Sequence, residues 1–439
     1  MERRRFIHLI HRYYPFRGGS ENYFQALSED FAADGADVHV ITTDAWDLEY
    51  FWDPQRRRVD VPFERCNGVK VHRTPAAHLP FSNLTHRAIR RVMGELARYP
   101  VPGTRRILGQ LSRFGPWLPE LRSVLERVAP GASLIHPANI ALESMISEAS
   151  RVAKSQDIPL VITPKLHLGE SDRSTVRRYY TMPHQLDLLR GADMLMTQTS
   201  VEADFLASHG VREDRIRVVG LGIERDAVTG GDPERVRRTL GIDGPLVLAL
   251  GAAAYDKGTI HSCQAVLNLN RRPAEPVTLV VAGPIISNFQ KYVDSLQPDE
   301  RRWIRVLGYV EDEFRTDLLA ACDLLTLASR SEAFGYVFLE AWANGKPVVG
   351  ARAGGIPAVI DHDVDGLLVD FGDVNALADA YDSLLSDPHS ARRMGESGKQ
   401  NKVVDRSDWY ETISGVYREV LGVESGSWRS VDGAVAAKV

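Results

Sequence analysis

Leu324-Leu325-Thr326-Leu327-Ala328-Ser329-Arg330-Ser331-Glu332-Ala333-Phe334-Gly335-Tyr336-Val337-Phe338-Leu339-Glu340-Ala341, returning through Gly345-Lys346-Pro347-Val348-Val349-Gly350, holds one complete strand–loop–helix–strand unit. Residues 324–327 are apolar without alternation, the pattern of a strand covered on both faces, as in a parallel sheet. Runs of the same kind recur at 6–10, 38–42, 69–73, 134–136, 160–163, 194–197 and 216–219. In the second half they lie at 246–250, 278–282, 304–307, 347–350 and 366–369. Helix-length amphipathic segments separate them, which implies two doubly wound, Rossmann-like α/β units with right-handed crossovers.

The chain has 439 residues, enough at roughly 150 residues per domain for two or three domains. Turn residues cluster at Thr229-Gly230-Gly231-Asp232-Pro233 and Gly241-Ile242-Asp243-Gly244-Pro245, so the seam is expected within 224–244. The expected organisation is a first domain over 1–224, a second over 225–403, a helix over 404–421 anchored by Trp409 and Tyr410, and a disordered tail over 422–439. A hydrophobic content of 44% with 25% charged residues excludes a disordered or low-complexity protein. No apolar run approaches the roughly 18–20 residues of a membrane span. Met-Glu-Arg-Arg-Arg resembles the start of a signal peptide, but the apolar stretch behind it is short and carries His8. Cys66, Cys263 and Cys322 lie too far apart for a zinc site or a disulfide framework, and a cytoplasmic protein is expected.

A net charge of −5 argues against nucleic-acid binding. The charge is nevertheless uneven, with 30 basic and 26 acidic residues over 1–220 against 23 and 32 over 221–439. Nine arginines fall within 87–127, interspersed with Ile89, Val92, Met93, Leu96, Ile107, Leu108, Leu111, Phe114, Trp117 and Leu118. Such a segment suits peripheral contact with an anionic membrane, or an arginine-rich lid over a soluble acceptor.

Open parallel sheets bind ligands at the carboxyl ends of their strands, so two such units imply a site in the cleft between them. Four strand ends carry candidate chemistry. Gly18 and Gly19 open the helix after the first strand and allow an anion close to its amides, or form an ordinary turn with Ser20 as N-cap. Lys257 follows Ala252 at a helix start and suits a phosphate, or is a solvated surface lysine. In the quoted unit, Glu332 lies in the loop and Glu340 in the early helix, with the amides of 334–337 between them. A carboxylate here can accept hydrogen bonds from two neighbouring hydroxyls, as a sugar or ribose presents, or merely complement the helix dipole. His136 ends its strand, facing the cleft or satisfied in the core.

Together these residues resemble glycosyltransferase family 4, with the two-domain GT-B fold, over about residues 6–420. The motifs are Tyr-Tyr-Pro-Phe-Arg-Gly-Gly-Ser-Glu at 13–21, Val-Val-Gly-Leu-Gly-Ile at 218–223, Asp-Lys-Gly at 256–258, and Ser-Glu-Ala-Phe-Gly through Glu340 to Gly-Lys-Pro-Val-Val and Ala-Gly-Gly-Ile-Pro. The resemblance implies a nucleotide-diphosphate sugar as donor, retention of anomeric configuration, and no metal or other cofactor. It places Gly18, Gly19 and Lys257 on the diphosphate, Glu332 on the transferred sugar and Glu340 on the ribose. Phe334, Gly335, Tyr336 and Val337 match the helix start near sugar and phosphate, His136 the histidine near the anomeric centre, and Val310 the base pocket. His136, Glu332 and Lys257 are the expected catalytic residues. The 404–421 helix matches one that crosses back to the first domain. Ala252 stands where an arginine is usual, and Ala358 where Glu is frequent. Two other readings share the architecture: a non-hydrolysing nucleotide-sugar epimerase, and a degenerate sugar-nucleotide binder without catalysis.

Overall fold

The computed structural model describes residues 3–424 apart from 17, 100, 172, 173, 273 and 274, together with residue 428. The first half forms β1 (Arg5–Leu9), β2 (Asp37–Thr43), β3 (Phe63–Cys66), β4 (Val69–Thr74), β5 (Ala132–Pro137), β6 (Val161–Ile162), β7 (Met194–Thr197) and β8 (Ile216–Val218). The second forms β9 (Leu246–Leu250), β10 (Thr278–Ala282), β11 (Ile304–Gly308), β12 (Leu324–Leu327), β13 (Val348–Ala351) and β14 (Gly366–Val369).

The first sheet runs β3-β4-β2-β1-β5. Main-chain hydrogen bonds from Ile135 to Pro159 (3.0 Å) and from Thr163 to Pro137 (3.2 Å) carry it on into β6-β7-β8. The second runs β11-β10-β9-β12-β13-β14, and all its neighbouring strands are parallel. In each sheet the order reverses beside the unit's first strand, β1 or β9, so flanking loops diverge and open a crevice. The architecture is the expected one, two doubly wound α/β layers facing across a cleft.

Alternate residues of one strand serve different cores. Phe6 and Ile10 enter a cluster that spans both domains, whereas Ile7 and Leu9 face helices on the outer side of the first sheet. A third cluster lies behind the second sheet around Val247, Leu279 and Tyr381. Helix Pro233–Leu240 belongs with the second sheet, where Arg235 pairs with Asp317 and, at 2.6 Å, with Glu313.

Helix Arg406–Leu421 lies against the first domain: Arg406 pairs with Asp30 at 2.8 Å, and the Tyr410 hydroxyl donates to Asp34 at 2.9 Å. The two chain crossings run side by side, with Ile223 donating to the Val404 carbonyl and Arg406 to that of Ile223, both at 3.0 Å. Gly222 makes this approach possible, since a β-carbon there would stand 2.5 Å from Cβ of Trp409. Of the stretch 422–439 expected to be disordered, 425–427 and 429–439 lie outside the described residues. At Trp428 that expectation is corrected: the indole is buried, edge-on to Phe6 at 5.0 Å, with Nε1 3.2 Å from the Tyr410 hydroxyl. An aromatic pocket offers that much apolar area a better place than water.

Candidate functional site

The second domain builds its wall of the cleft from three loops at strand ends. After β9 the chain turns at Asp256-Lys257-Gly258. Gly258 (φ +74) presses against the next loop, where a β-carbon would lie 2.1 Å from the Ala328 carbonyl oxygen. Arg330 N and Ser329 Oγ donate to the Asp256 carbonyl at 2.8 and 3.1 Å, fastening the Lys257 turn to the loop after β12. Lys257 Nζ thereby meets Glu332 Oε2 at 2.6 Å. Burial raises the Glu332 carboxyl, but the charge and hydrogen bond of Lys257 outweigh it and hold the group below its usual range. Gly354 and Gly355 close the third side, with Gly355 N donating to the Glu332 carbonyl at 2.7 Å.

Helix Tyr336–Ala343 starts at Gly335, whose backbone is left-handed (φ +99) and which no side chain caps. A β-carbon there would stand 2.7 Å from the Phe338 ring. The uncapped start leaves first-turn amides and the positive end of the helix dipole for a ligand oxygen. One turn on, Glu340 pairs with Arg315 through Oε1, while its Oε2 is buried without a hydrogen-bond partner. That oxygen can accept from a hydroxyl. Val310, just beyond β11, is half-buried against the core that spans both domains. Ala252 lines a small recess of about 10 Å³ with Lys257, Thr259 and Thr326.

The first domain faces this wall with another uncapped helix start, Gly19–Ala33. Its N-cap is Gly18 in extended backbone, so the Ser20 N-cap reading does not hold. A β-carbon on Gly19 would come within 3.6 Å of the Tyr336 ring, so the two helix starts meet across the cleft. Behind Gly19, Glu21 binds His11 (3.1 Å) and Arg12 (2.9 Å), and Asn139 reaches His11 (2.8 Å). Burial raises the Glu21 carboxyl, yet these partners bring it down to about 2. Arg17, the arginine of the 13–21 motif, lies outside the described residues.

Three contacts tie the walls together. Gly354 N donates to the Gly169 carbonyl at 2.8 Å, His167 Nδ1 sits 3.1 Å from Ser331 Oγ, and Arg330 forks onto Glu170 at 2.9–3.1 Å. His167 stacks on Tyr180 (4.8 Å), and burial lowers its pKa to about 4, so the ring is neutral. Lys165, two residues earlier, is buried in left-handed backbone (φ +52) with Nζ 4.5 Å over the Tyr23 ring. Lys165, His167, Arg315 and the Glu170–Arg330 pair belong to none of the sequence motifs. Lys165 and His167 follow a buried strand, the signal that singled out His136.

His136 requires a correction. It is fully buried, and both ring nitrogens are occupied: Nδ1 by the Tyr417 hydroxyl at 2.7 Å and Nε2 by Thr163 Oγ1 at 2.8 Å. Its register partner on β1, His8, shares that hydroxyl at 3.0 Å. Burial drives both rings to the neutral form. His136 therefore joins the C-terminal helix to the core rather than offering a nitrogen to the cleft. Of the apolar residues in the arginine-rich stretch, Met93 and Leu108 form a small core with Met182, and Leu118 is also buried. Exposed instead are Val92, Tyr99, Val101 and Ile107, with Phe81 and Leu84 just before the stretch.

Comparison with known proteins bears on the family and the fold. The family model described as glycosyl transferases group 1 matches residues 232–401, and the glycosyl transferase 4-like domain matches residues 18–222. The chain belongs to this family of 4-type glycosyltransferases. A D-inositol 3-phosphate glycosyltransferase of Corynebacterium efficiens is 32% identical over 265 residues, 56% of this chain and 62% of the relative. The protein of that name in Mycobacterium sp. (strain JLS) is 36% identical over 216 residues, 46% of this chain and 47% of its own. The chain thus spans about half to three fifths of these curated relatives. Among solved structures, Anabaena HepE (Alr3699) in complex with UDP and glucose superposes with a TM-score of 0.68 at 19% identity, covering 95% of this chain and all of that one. WaaG, a glycosyltransferase involved in lipopolysaccharide biosynthesis, gives 0.60 at 18% identity, covering 95% and 100%. These likenesses establish the GT-B fold.

Proposed function

We propose that the protein transfers a sugar from a nucleotide-diphosphate sugar to an acceptor hydroxyl, with retention of configuration and without a metal. The observation that carries this reading is the Lys257–Glu332 pair, set where two uncapped helix starts meet, one turn from the unpartnered Glu340 oxygen. Such a site offers a carboxylate to sugar hydroxyls, a second to ribose hydroxyls, and a cation and amides to the diphosphate between them. As the bond to the leaving diphosphate breaks, Lys257 and the helix starts stabilise the growing charge, and the leaving oxygen takes the acceptor's proton. The contacts at Gly169, Ser331 and Arg330 hold the walls together and keep out the water that would turn transfer into hydrolysis. Solved relatives of this fold carry UDP and UDP-glucose, which supports a nucleotide-sugar donor.

Product analysis with a panel of nucleotide sugars and of acceptors, D-inositol 3-phosphate among them, tests the reading. A glycosylated acceptor with retained configuration is expected. Epimerised donor would assign the chain to the epimerases, and unchanged donor with bound nucleotide to a non-catalytic binder. A peripheral membrane role is a second reading, favoured by the exposed Phe81, Leu84, Val92, Tyr99 and Ile107 beside exposed Arg87, Arg91, Arg98, Arg105 and Arg106. Sedimentation with anionic vesicles should pull the protein down and neutral vesicles should not; equal, negligible binding to both removes this reading.

A further inference from the structure

The charges around the cleft do not balance at Lys165. Arg12 holds Glu21, Lys257 holds Glu332, Arg315 holds Glu340, and Arg330 holds Glu170. Lys165 is 5% exposed, and among the described residues no hydrogen bond or ion pair reaches its ammonium. Three carboxylates lie within electrostatic reach, Glu21, Glu202 and Glu332, and each is engaged elsewhere. Glu202 accepts from the amides of Leu166 (2.7 Å) and Gln198 (2.9 Å), Glu21 from His11 and Arg12, and Glu332 from Lys257. His11, His136 and His167, the other titratable groups that feel this charge, are kept neutral by burial.

Nζ is not among the wholly enclosed atoms that lack a partner, so it keeps a small opening to solvent; a cation this desolvated, with no protein acceptor, points to an acceptor that arrives with a ligand. Position narrows the choice. Nζ sits over Tyr23, on the helix whose start meets Tyr336, and of the two carboxylates in the second-domain wall it feels the charge of Glu332. We infer that Lys165 binds an oxyanion of the donor's sugar-bearing phosphate, the first-domain counterpart of Lys257 in the second. The inference rests on the nucleotide-sugar reading above. It makes the diphosphate the charge that joins the two domains, since one lysine comes from each side.

Calorimetry with UDP, GDP and ADP, each against its monophosphate, tests this on wild type, K165M and K165Q. For whichever base wild type prefers, both variants should lose at least about tenfold in diphosphate affinity while the monophosphate changes by less than about twofold. Retained monophosphate binding also shows that the variants are folded. Diphosphate affinity within about twofold of wild type would overturn the assignment, and so would an equal loss for mono- and diphosphate. Wild type that binds none of the nucleotides would remove the donor reading itself, and this inference with it.

Discussion

Glu332 lies in the loop before helix Tyr336–Ala343 and Glu340 one turn inside it, and their partners set them to different work. Glu332 is neutralised by Lys257, whereas Glu340 keeps one buried oxygen unbonded beside Arg315. Glu340→Ala should weaken nucleoside diphosphate and donor alike, and Glu332→Ala should lower turnover while leaving the free nucleotide's affinity near wild type. Titration calorimetry beside steady-state kinetics separates the two roles, and unchanged nucleotide affinity for Glu340→Ala would refute its assignment. Lys257→Ala removes one partner of a close charge pair, a loss of about 2–5 kcal/mol that corresponds to roughly 30-fold to several thousand-fold in kcat/KM. A loss below about fivefold at subsaturating donor would show that Lys257 does not carry the phosphate.

Lys165 makes a prediction about the ligand-free protein as well. Burial lowers its pKa from 10.5 to about 8. The unfolded chain therefore holds this proton more tightly, and stability rises as pH climbs from about 8 toward 10.5. Below about 8 the charged form destabilises the fold by an amount on the order of 3 kcal/mol. K165M should accordingly melt above wild type near pH 7, with the gap closing toward pH 10. A lower melting temperature for K165M at pH 7 would mean that the ammonium stabilises the free fold.

At the scale of elements, most strands are legible as apolar runs, because a strand buried on both faces tolerates few polar residues; β4 and β8, partly in water, break the run with Lys70, His72, Arg73 and Arg217. β3, Phe-Glu-Arg-Cys at the antiparallel edge, is half in water and writes no such run. Lys257, Glu332, Glu340 and the helix starts were visible because they sit at strand ends in tight glycine turns. His136 also ends a strand, but Tyr417, 281 residues away, claims its ring, and a contact that distant leaves no local mark. The reach of Lys165 over Tyr23 was hidden for the same reason. The glycines behind Glu332 are placed by close approach: a β-carbon on Gly354 (φ +59) would stand 2.3 Å from the Glu332 carbonyl oxygen. Gly354→Ala should cost about 1–3 kcal/mol and raise the donor KM. Gly415, where an added β-carbon meets nothing within 4 Å inside helix Arg406–Leu421, should gain about 0.5–1 kcal/mol as Ala. A thermal melt of both variants checks the pair, and equal shifts would show that close approach is not what Gly354 provides.

At the scale of the whole molecule, the Glu170–Arg330 fork joins the domains beside the site. Both side chains are about a quarter exposed, so the pair contributes little to stability, roughly 1 kcal/mol or less. Its value lies in closure. Arg330→Ala should shift melting by no more than a few degrees while raising donor hydrolysis relative to transfer, a ratio measured by separating free sugar from glycosylated acceptor. An unchanged ratio would show that the fork does not guard the site.

The knot of His8, His136 and Tyr417 has a consequence for how the protein is made. Its two histidines are synthesised early and its phenol 281 residues after the second of them and 409 after the first. At roughly 5–20 residues per second, a ribosome that has finished β8 needs on the order of 10–40 s more to reach Tyr417. For that interval the newborn first domain carries two imidazoles awaiting a partner and an aromatic socket around Phe6 and Phe31 open to water. A nascent chain in this state is a natural client for a holdase.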